Sequence, residues 1–304
     1  MESIMNNIVA ERAAALGCTV IDEALLKNYT TFKVGGKCGM IKLNGAASCG
    51  ELVKLMNELG EEFIVLGKGS NVIADDNGTE KTVLLIGDEM SDIDIEDDII
   101  RCGAGASLTA VCRAALKSEL TGLEFAYGIP GSVGGGVYMN AGAYGGEIKD
   151  IILYAEAVSR SDGSVRRFSP AKMELSYRHS RFMQDDHIIT SAAFKLAHGN
   201  ADEIKAKMNE LMDKRRTKQP LEYPSAGSTF KRPEGSYASL LIEQCGLKGM
   251  SVGGAEVSTK HSGFIINKGG ATSADILTLI EKVREIVKEK TGYELECEPV
   301  VIGK

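Results

Sequence analysis

Tryptophan is absent from the 304-residue chain, and proline occurs only six times against 35 glycines. A collagen-like or proline-rich low-complexity chain is therefore excluded, and the glycines cluster in particular loops instead. No run of about 18 apolar residues occurs, so the sequence predicts no membrane-spanning helix. The chain begins Met1-Glu2-Ser3 rather than with a basic segment before an apolar run, unlike a secretory signal. These absences predict a cytoplasmic protein.

Cysteine pairs at metal-binding or redox spacing are also missing. None of the seven cysteines forms a Cys-x-x-Cys pair, and an odd total suits a secreted disulfide framework poorly. The histidines, His179, His187, His198 and His261, show no metal-ligand spacing either. A net charge of -7 argues against a general electrostatic grip on nucleic acid, which needs an extended basic face. We therefore expect reduced thiols, no bound metal and no nucleic-acid partner.

What is present is the composition of an ordinary globular chain. With 43% hydrophobic residues over 304 positions, the chain exceeds the usual size of one core, so we expect two or three subdomains. Residues 48–60 present one apolar face and end at Gly60, which predicts a helix. Ser48 and Glu51 stand at capping-box spacing and would begin that helix.

Two glycine turns follow apolar runs but differ from a dinucleotide fingerprint. The turn at 67–71 lies between the apolar runs 63–66 and 72–73, so it joins two strands. A Rossmann glycine loop instead opens a helix, so a phosphate here would be held by turn amides. The segment 103–107 does precede a helix, capped by Ser107 and running to about Glu119, but it lacks the third glycine. We interpret it as a tight strand-to-helix turn.

The rest of the chain mixes antiparallel strands with helices. The alternation between residues 153 and 195, with a turn at Asp162-Gly163, predicts a sheet. A further domain is expected to begin near Pro220. We also predict helices at 201–218, 236–245 (capped) and 273–290, and a strand at 263–267.

The densest glycine signal lies at residues 128–146, where most side chains are removed and Ser132, Asn140 and backbone amides remain. Such a stretch lets the chain pass close to a flat, phosphorylated ligand. The same segment is also compatible with a glycine-rich structural turn.

A set of motifs in fixed order gives the chain a family resemblance from residue 28 to its end. These motifs are Asn28-Tyr-Thr-Thr-Phe-Lys-Val-Gly-Gly36, Leu66-Gly-Lys-Gly-Ser-Asn71, the 128–146 segment, Ser176-Tyr-Arg-His-Ser-Arg-Phe182, Ala226-Gly-Ser-Thr-Phe-Lys-Arg-Pro233, Leu241-Ile-Glu-Gln-Cys-Gly-Leu-Lys-Gly249 and Leu295-Glu-Cys-Glu-Pro-Val-Val-Ile-Gly303. The first three resemble the FAD-binding domain of the vanillyl-alcohol-oxidase superfamily. The whole order resembles the UDP-N-acetylenolpyruvoylglucosamine reductase family, and the short span between Phe182 and Ile188 resembles its type II members.

The resemblance implies an α+β, three-domain flavoprotein. Its FAD-binding module would have two parts of the vanillyl-alcohol-oxidase (PCMH) type, followed by a C-terminal α/β substrate domain. Residues 1–78 plus 293–304 would form the first FAD-binding subdomain, 79–218 the second, and 219–292 the substrate-binding domain.

The resemblance also implies the ligands. The cofactors would be noncovalent FAD and NADPH, the substrate UDP-N-acetylglucosamine enolpyruvate, and the protein a monomer without membrane contact. The implied FAD-binding residues are Gly67, Lys68, Gly69, Ser70, Asn71, Gly131, Ser132, Val133, Gly134, Gly135, Asn140 and Arg215.

Three residues match catalytic positions of the family. Arg178 offers paired planar donors for negative charge that develops on the substrate carboxylate, although a structural arginine is the alternative. Glu298 would act either as a protonated acid or as the partner that orients a cation or water. Alternation along 295–298 would place Glu296 and Glu298 on one face, so both are alternatively solvated carboxylates. Ser228 would donate the final proton, whereas by itself it suggests only a turn.

Lys218, Lys231 and Arg232 resemble ligands of the UDP-sugar diphosphate, although Arg232 departs from the asparagine of other members. A solvated helix end is the alternative for the basic residues 214–218.

Cys245 lies on an apolar helix face and is expected in the core. Two rival functions share part of this pattern: another flavin-dependent oxidase, which would lack the Ser228 and Glu298 motifs, and a colourless UDP-sugar-binding protein.

Overall fold

The computed structural model describes residues 4–184 and 187–303. The chain divides into two compact units. Unit 1 comprises Met1–Asp22, Gly39–Lys68 and Lys81–Lys214, and unit 2 comprises Glu23–Cys38, Gly69–Glu80 and Arg215–Lys304. The three-domain division implied by the resemblance stays a prediction. Met1, Glu2 and Ser3, and Asp185 and Asp186 of the short span that suggests a type II protein, lie outside the described residues.

Helices and strands are mixed along the described chain, which confirms the predicted α+β class. The α-helices are α1 (Asn7–Ala15), α2 (Ala46–Leu59), α3 (Leu108–Lys117), α4 (Val133–Tyr138), α5 (Pro170–Met173), α6 (Ala201–Lys218), α7 (Ala238–Gln244) and α8 (Ser273–Thr291). The strands are β1 (Thr19–Leu25), β2 (Lys37–Leu43), β3 (Phe63–Leu66), β4 (Val72–Ala74), β5 (Thr82–Ile86), β6 (Ile93–Glu96), β7 (Ile99–Gly103), β8 (Leu120–Thr121), β9 (Gly142–Ala143), β10 (Gly146–Glu147), β11 (Ile152–Ser159), β12 (Val165–Phe168), β13 (His187–Lys195), β14 (Ala197–His198), β15 (Ser251–Val252), β16 (Ala255–Val257), β17 (Ile265–Asn267) and β18 (Val300–Ile302).

Two sheets organise unit 1. The first has the strand order β1-β2-β5-β3, and both β2 and β3 run parallel to β5. The second has the order β12-β11-β13-β7-β6 and is antiparallel throughout, as the alternation between residues 153 and 195 predicts. Apolar residues of both sheets share one core with α2, α3 and α4. The segments 128–146 and 176–182 lie between strands of the antiparallel sheet, whereas Gly67 follows β3 of the first sheet.

Helix ends in unit 1 follow the sequence at two positions and depart from it at a third. Gly60 ends α2 in the left-handed conformation, and the Ser107 side chain caps α3 by accepting from Ala110 N, both as predicted. The predicted capping box of α2 is wrong, because the helix begins two residues before Ser48. The Ser48 hydroxyl donates to the Gly45 carbonyl instead, 3.0 Å away, and the side chain is buried. Because the N-cap residue is Gly45, no side-chain hydrogen bond caps this end of α2, and packing decides where the helix begins.

Unit 2 has its own sheets and core. Strands β15, β16 and β17 form an antiparallel sheet against α8, and β4 pairs in parallel with β18. Phe32, Val34 and Ile73 pack into one core with apolar side chains of α7 and α8. The predicted helix at 273–290 is confirmed, with a capping box formed by Thr272 and Asp275. The predicted cap of α7 is wrong, because its N-cap residue has no side-chain hydrogen bond to the helix.

None of the helices in the described ranges is both long and apolar enough to cross a bilayer.

Candidate functional site

Two of the predicted flavin loops touch each other inside unit 1. A Cβ on Gly67 would lie 2.7 Å from the Ser132 hydroxyl oxygen, so a larger residue here would displace the Ser132 side chain. Beside it, Lys68 Nζ donates to an Asp88 carboxylate oxygen at 2.8 Å. This bond and the positive charge of Lys68 lower the pKa of Asp88. The loop after β3 and the residues before α4 therefore form one continuous surface.

The predicted turn at 131–135 is the start of a short helix in the structure. Ser132 caps α4 by accepting from Gly135 N at 3.3 Å. The amides of Val133 and Gly134 donate to the carbonyls of Ala106 and Ala104, each at 2.8 Å. These amides are thus already used in fastening α4 to the turn that follows β7. Buried backbone N–H groups that are already paired in this way are not available to a phosphate, and the role of these residues in binding FAD stays a prediction.

The remaining part of this loop, residues 69–71, belongs to unit 2. Gly69 has φ +61°, and a Cβ there would overlap the carbonyl oxygen of Tyr29. Asn71 is fastened to the C-terminal segment, since its side-chain amide donates to the Glu298 carbonyl at 3.3 Å and its own carbonyl accepts from Val300 N at 2.9 Å. The loop therefore has a fixed conformation that the motif 28–36 and residue 298 hold.

Arg178 stands at the tip of a four-residue turn in unit 1. The backbones of Ser176 and His179 exchange two hydrogen bonds of 3.1 Å, which leaves Tyr177 and Arg178 at the tip. Arg178 has φ 51°, a left-handed conformation that costs a residue with a Cβ about 1–2 kcal/mol. Its guanidinium donates to the Gly142 carbonyl at 3.4 Å and lies over the Tyr177 ring. The half-buried side chain is therefore held at a strained position.

Asn140, predicted to bind the cofactor, is completely buried in unit 1. Its amide nitrogen donates to Glu147 Oε2 at 2.6 Å and to the Ser176 carbonyl at 2.9 Å. Its amide oxygen accepts from Lys149 N at 2.9 Å. The carboxamide thus connects the glycine-rich segment to the turn that carries Arg178. Sequence reasoning missed Glu147 and Ser180 as parts of this network, although Ser180 lies within the 176–182 motif.

In unit 2 the segment with Ser228 pairs with the segment that holds Glu298. Phe230 and Cys297 form an antiparallel bridge, and Glu298 N donates to the Thr229 carbonyl at 2.9 Å. Thr229 is buried, and its hydroxyl accepts from Ile265 N at 3.0 Å. Ser228, by contrast, is exposed. In this pairing Glu298 lies opposite Thr229, so Ser228 is one residue from the position opposite Glu298.

The two glutamates of this segment have different surroundings. The backbone at 293–298 is irregular rather than a regular strand. Glu296 is exposed and accepts from Lys231 Nζ at 2.5 Å, whereas Glu298 is half-buried. The two carboxylates therefore differ in exposure, and the alternative of two solvated carboxylates stays open for Glu298. Between them, burial raises the pKa of the Cys297 thiol to about 11, so it stays protonated near neutral pH.

The predicted diphosphate ligands are spread over unit 2. Lys231 is half-buried beside Glu296, and the exposed Arg232 lies with its guanidinium 4.6 Å from the centre of the Tyr237 ring. Lys218 is the exposed last residue of α6. Arg215, one turn earlier, is buried, so a solvated helix end describes Lys218 but not Arg215.

Neither a thiol nor a metal centre competes with this site in the described part of the chain. Cys245 is buried in the core of unit 2, as predicted. Within residues 4–184 and 187–303 there is no cluster of three or more His, Cys, Asp or Glu side chains that could hold a metal ion.

Comparison with known proteins assigns the two halves of the chain. Residues 40–169 match the model of the FAD binding domain, and residues 219–302 match that of the UDP-N-acetylenolpyruvoylglucosamine reductase C-terminal domain. The chain is 47% identical over 281 residues to the UDP-N-acetylenolpyruvoylglucosamine reductase of Clostridium novyi (strain NT), covering 92% of this chain and 91% of that protein. It is 44% identical over 308 residues to the reductase of Agathobacter rectalis, covering 97% of each.

A solved structure agrees with these relatives. The crystal structure of the UDP-N-acetylenolpyruvylglucosamine reductase from Thermus caldophilus superimposes with a TM-score of 0.81 at 35% identity, over 93% of this chain and 99% of that one. The relatives match nearly the whole chain at well above 30% identity. This chain therefore belongs to the UDP-N-acetylenolpyruvoylglucosamine reductase family.

Proposed function

We propose that this protein reduces the enolpyruvyl ether of UDP-N-acetylglucosamine enolpyruvate to UDP-N-acetylmuramate, with NADPH as reductant and FAD as the bound cofactor. The reaction is a step of peptidoglycan precursor synthesis and would take place in the cytoplasm, carried out by a monomer. The observation that carries the proposal is that one chain joins an FAD-binding segment, 40–169, to the C-terminal domain of this reductase family, 219–302.

The two glycine-bearing loop segments fit FAD. Gly67 and Ser132 bring two loops into contact without intervening side chains, which suits a flat, phosphorylated ligand. Lys68 supplies a cation beside them, and Ser70 and Asn71 continue the loop with neutral polar groups. When bound, FAD supplies the two-electron chemistry by accepting hydride from NADPH and passing it to the methylene carbon of the enolpyruvyl group.

Arg178 stabilises the charge that this addition creates. Hydride addition to the methylene pushes electrons onto the neighbouring carboxylate, which acquires enediolate character. A guanidinium presents two parallel donors to such a group and keeps its charge at any working pH. Donors held in place before the reaction stabilise developing charge without reorganisation, and the strained turn of Arg178 holds its donor in that way.

Ser228 completes the reaction by giving its hydroxyl proton to the carbon beside the carboxylate. The exposed hydroxyl follows Gly227, whose φ of +77° bends the chain and where nothing lies within 4 Å of a Cβ position. A serine hydroxyl is a weak acid, but the enediolate is a strong base, so correct placement suffices for transfer. Glu298, fastened through its backbone to Thr229, acts either as a protonated acid that hydrogen-bonds the intermediate or as the group that orients a cation or water.

The cations of unit 2 bind the diphosphate of the sugar nucleotide. Lys231 forms an ion pair with the exposed Glu296, and the guanidinium of Arg232 lies over the Tyr237 ring. Lys218 extends into solvent from the end of α6. Arg215 is buried and is assigned to the FAD phosphates.

Anaerobic spectroscopy tests the proposal in two steps. The purified protein should be yellow and should release its flavin on acid precipitation. NADPH should bleach the flavin, and the enolpyruvyl UDP-sugar should restore the oxidised spectrum, while the same sugar nucleotide without its enolpyruvyl group should not. A colourless protein that binds the sugar nucleotide would contradict the proposal in favour of a binding protein. A flavin reduced by an alcohol or hydroxy acid would favour an oxidase.

A further inference from the structure

Alternate residues of the glycine-rich segment fasten the turn of Arg178 at three points. We call residues 138–142 the bracket. The Ser180 hydroxyl donates to the Tyr138 carbonyl at 2.6 Å, the Asn140 side chain donates to the Ser176 carbonyl at 2.9 Å, and the Arg178 guanidinium donates to the Gly142 carbonyl at 3.4 Å. The bracket therefore holds the two ends of the turn as well as the functional side chain.

Asn140 is the central contact of the bracket, and its two amide hydrogens and its oxygen are all engaged by protein groups. Both hydrogen atoms of its amide are used, one by Glu147 and one by the Ser176 carbonyl, and its oxygen accepts from Lys149 N. The side chain is completely buried. A buried carboxamide whose polar atoms are all paired with protein groups is a structural connector.

The turn needs such a connector because its tip is strained. Arg178 has φ 51°, and a residue with a Cβ keeps that conformation only where its surroundings determine it. The two bonds between Ser176 and His179 close the turn but do not attach it to the rest of unit 1. The bracket supplies three hydrogen bonds that do attach it.

We propose that Asn140 is a positioning residue, which acts on the reaction by holding the Arg178 turn rather than by binding FAD. This assignment replaces the cofactor-binding role that the sequence predicts, and it rests on the function proposed above. Displacement of a reacting group by about 1 Å can cost a factor of about 10² in rate. Loss of the Asn140 side chain should therefore slow the step that uses Arg178 and spare the step that does not.

The variant Asn140→Gly tests this proposal with little disturbance of the backbone. Asn140 itself has φ 42°, which glycine adopts without strain, so the change keeps the backbone conformation accessible while it removes the buried side chain and its hydrogen bonds. We expect flavin content and the rate of reduction by NADPH to stay within about twofold of wild type. Reoxidation by the enolpyruvyl UDP-sugar should be about 10- to 100-fold slower. Amide hydrogen exchange over residues 176–180 should be faster.

The matched control is Glu174→Gly. Glu174 has φ 51°, is exposed, and lies four residues before Arg178. The substitution also places glycine at a left-handed position of the same segment, but it removes no bracket contact. Both half-reactions and the exchange over 176–180 should stay within about twofold of wild type, because glycine adopts this conformation freely. An equal loss of reoxidation in Glu174→Gly would overturn the positioning role by showing that any glycine in the segment suffices.

A double variant separates positioning from general destabilisation. If Asn140 acts through Arg178, then Asn140→Gly should have little further effect in an Arg178→Lys background, so the two losses should not multiply. Losses that multiply would overturn the proposal. Weakened flavin binding with unchanged exchange over 176–180 would do the same, in favour of a cofactor ligand.

Two further experiments test the proposal if a variant does not fold or if the substrate does not reoxidise the flavin. If Asn140→Gly does not fold, Ser180→Ala removes another bracket bond and should show the same pattern with a smaller loss. If the wild-type flavin is not reoxidised by the enolpyruvyl UDP-sugar, the proposed function fails on its own. The exchange comparison then still decides whether Asn140 holds the turn.

Discussion

Unit 1 and unit 2 hold their functional residues in different ways. In unit 1, Arg178 stands at the tip of a strained turn that side chains attach to the neighbouring backbone, above all Asn140 and Ser180. In unit 2, Ser228 and Glu298 lie on segments that pair through backbone bonds around the Phe230–Cys297 bridge.

This difference decides how each residue responds to substitutions around it. A backbone pairing survives most changes of side chain, because the bonding groups belong to the main chain. A turn attached through side chains depends on the identity of those side chains, even when they are buried and distant from the ligand. We therefore expect the function of unit 1 to be sensitive to residues that hold the Arg178 turn without touching the ligand. The function of unit 2 should be sensitive mainly to Ser228 and Glu298 themselves.

The largest effect is expected for Arg178→Lys. Lysine keeps the positive charge but offers a point charge in place of two parallel donors. Loss of one preorganised donor typically costs a factor of about 10²–10³ in rate. Stopped-flow reoxidation of the reduced flavin by the enolpyruvyl UDP-sugar should fall by that amount, while flavin content and thermal unfolding stay near wild type. Turnover within about twofold of wild type would remove Arg178 from the charge-stabilising role.

Ser228→Ala comes next and tests the corresponding residue of unit 2. Protonation follows hydride transfer, so NADPH should still bleach the flavin at the normal rate. Reoxidation by substrate should be about 100-fold slower, the lower end of what a positioned proton donor contributes. Ser228→Cys keeps a transferable proton and should recover part of the rate. Equal loss of both half-reactions in Ser228→Ala would mean that the residue supports the cofactor or the fold.

Glu298→Gln should have an intermediate effect, with Glu296→Gln as its matched control. Glu298 is half-buried beside the Ser228 segment, whereas Glu296 is exposed and pairs with Lys231. Hydrogen bonds to charged groups contribute about 1.5–3 kcal/mol, so steady-state turnover of Glu298→Gln should fall by roughly tenfold or more. An exposed pair contributes little, and Glu296→Gln should stay within about twofold. Similar losses in both variants would return Glu298 to the role of a surface carboxylate.

The smallest effects on chemistry are expected from two glycines of the flavin loops. Gly69→Ala places a Cβ at φ +61° against the Tyr29 carbonyl, and we expect it to lower the free energy of unfolding by about 1–3 kcal/mol. At Gly135 the nearest atom to a Cβ is Ser132 Oγ at 3.4 Å, so Gly135→Ala should leave stability unchanged. Urea unfolding and flavin titration measure the two properties separately. Weaker flavin binding by Gly135→Ala at normal stability would place the ligand against α4. If Gly135→Ala is as unstable as Gly69→Ala, packing alone requires this glycine.

The sequence predicted the four longest of the described helices, α2, α3, α6 and α8, because their signals are local. Gly60 and Ser107 mark helix ends by their own backbone and hydroxyl chemistry, and the apolar periodicities of α6 and α8 are visible without any partner. The predicted capping box at Ser48 also depended on a local signal, but there the local signal was ambiguous. A side chain near a helix start can bond to several backbone groups, and packing decided that Ser48 would lie inside α2.

The features of the candidate site were likewise predictable only where their signal lies within one stretch of the chain. By itself the sequence determined the family, the glycine loops and the residue types needed for the chemistry, because motifs are properties of a contiguous stretch. Only the tertiary structure decided that the amides of Val133 and Gly134 fasten a helix, that Glu296 and Glu298 differ in exposure, and that Asn140 holds the turn of Arg178. Each of these depends on a partner far away in the chain, and the bonding capacity of a polar group is assigned by the neighbours that folding brings to it.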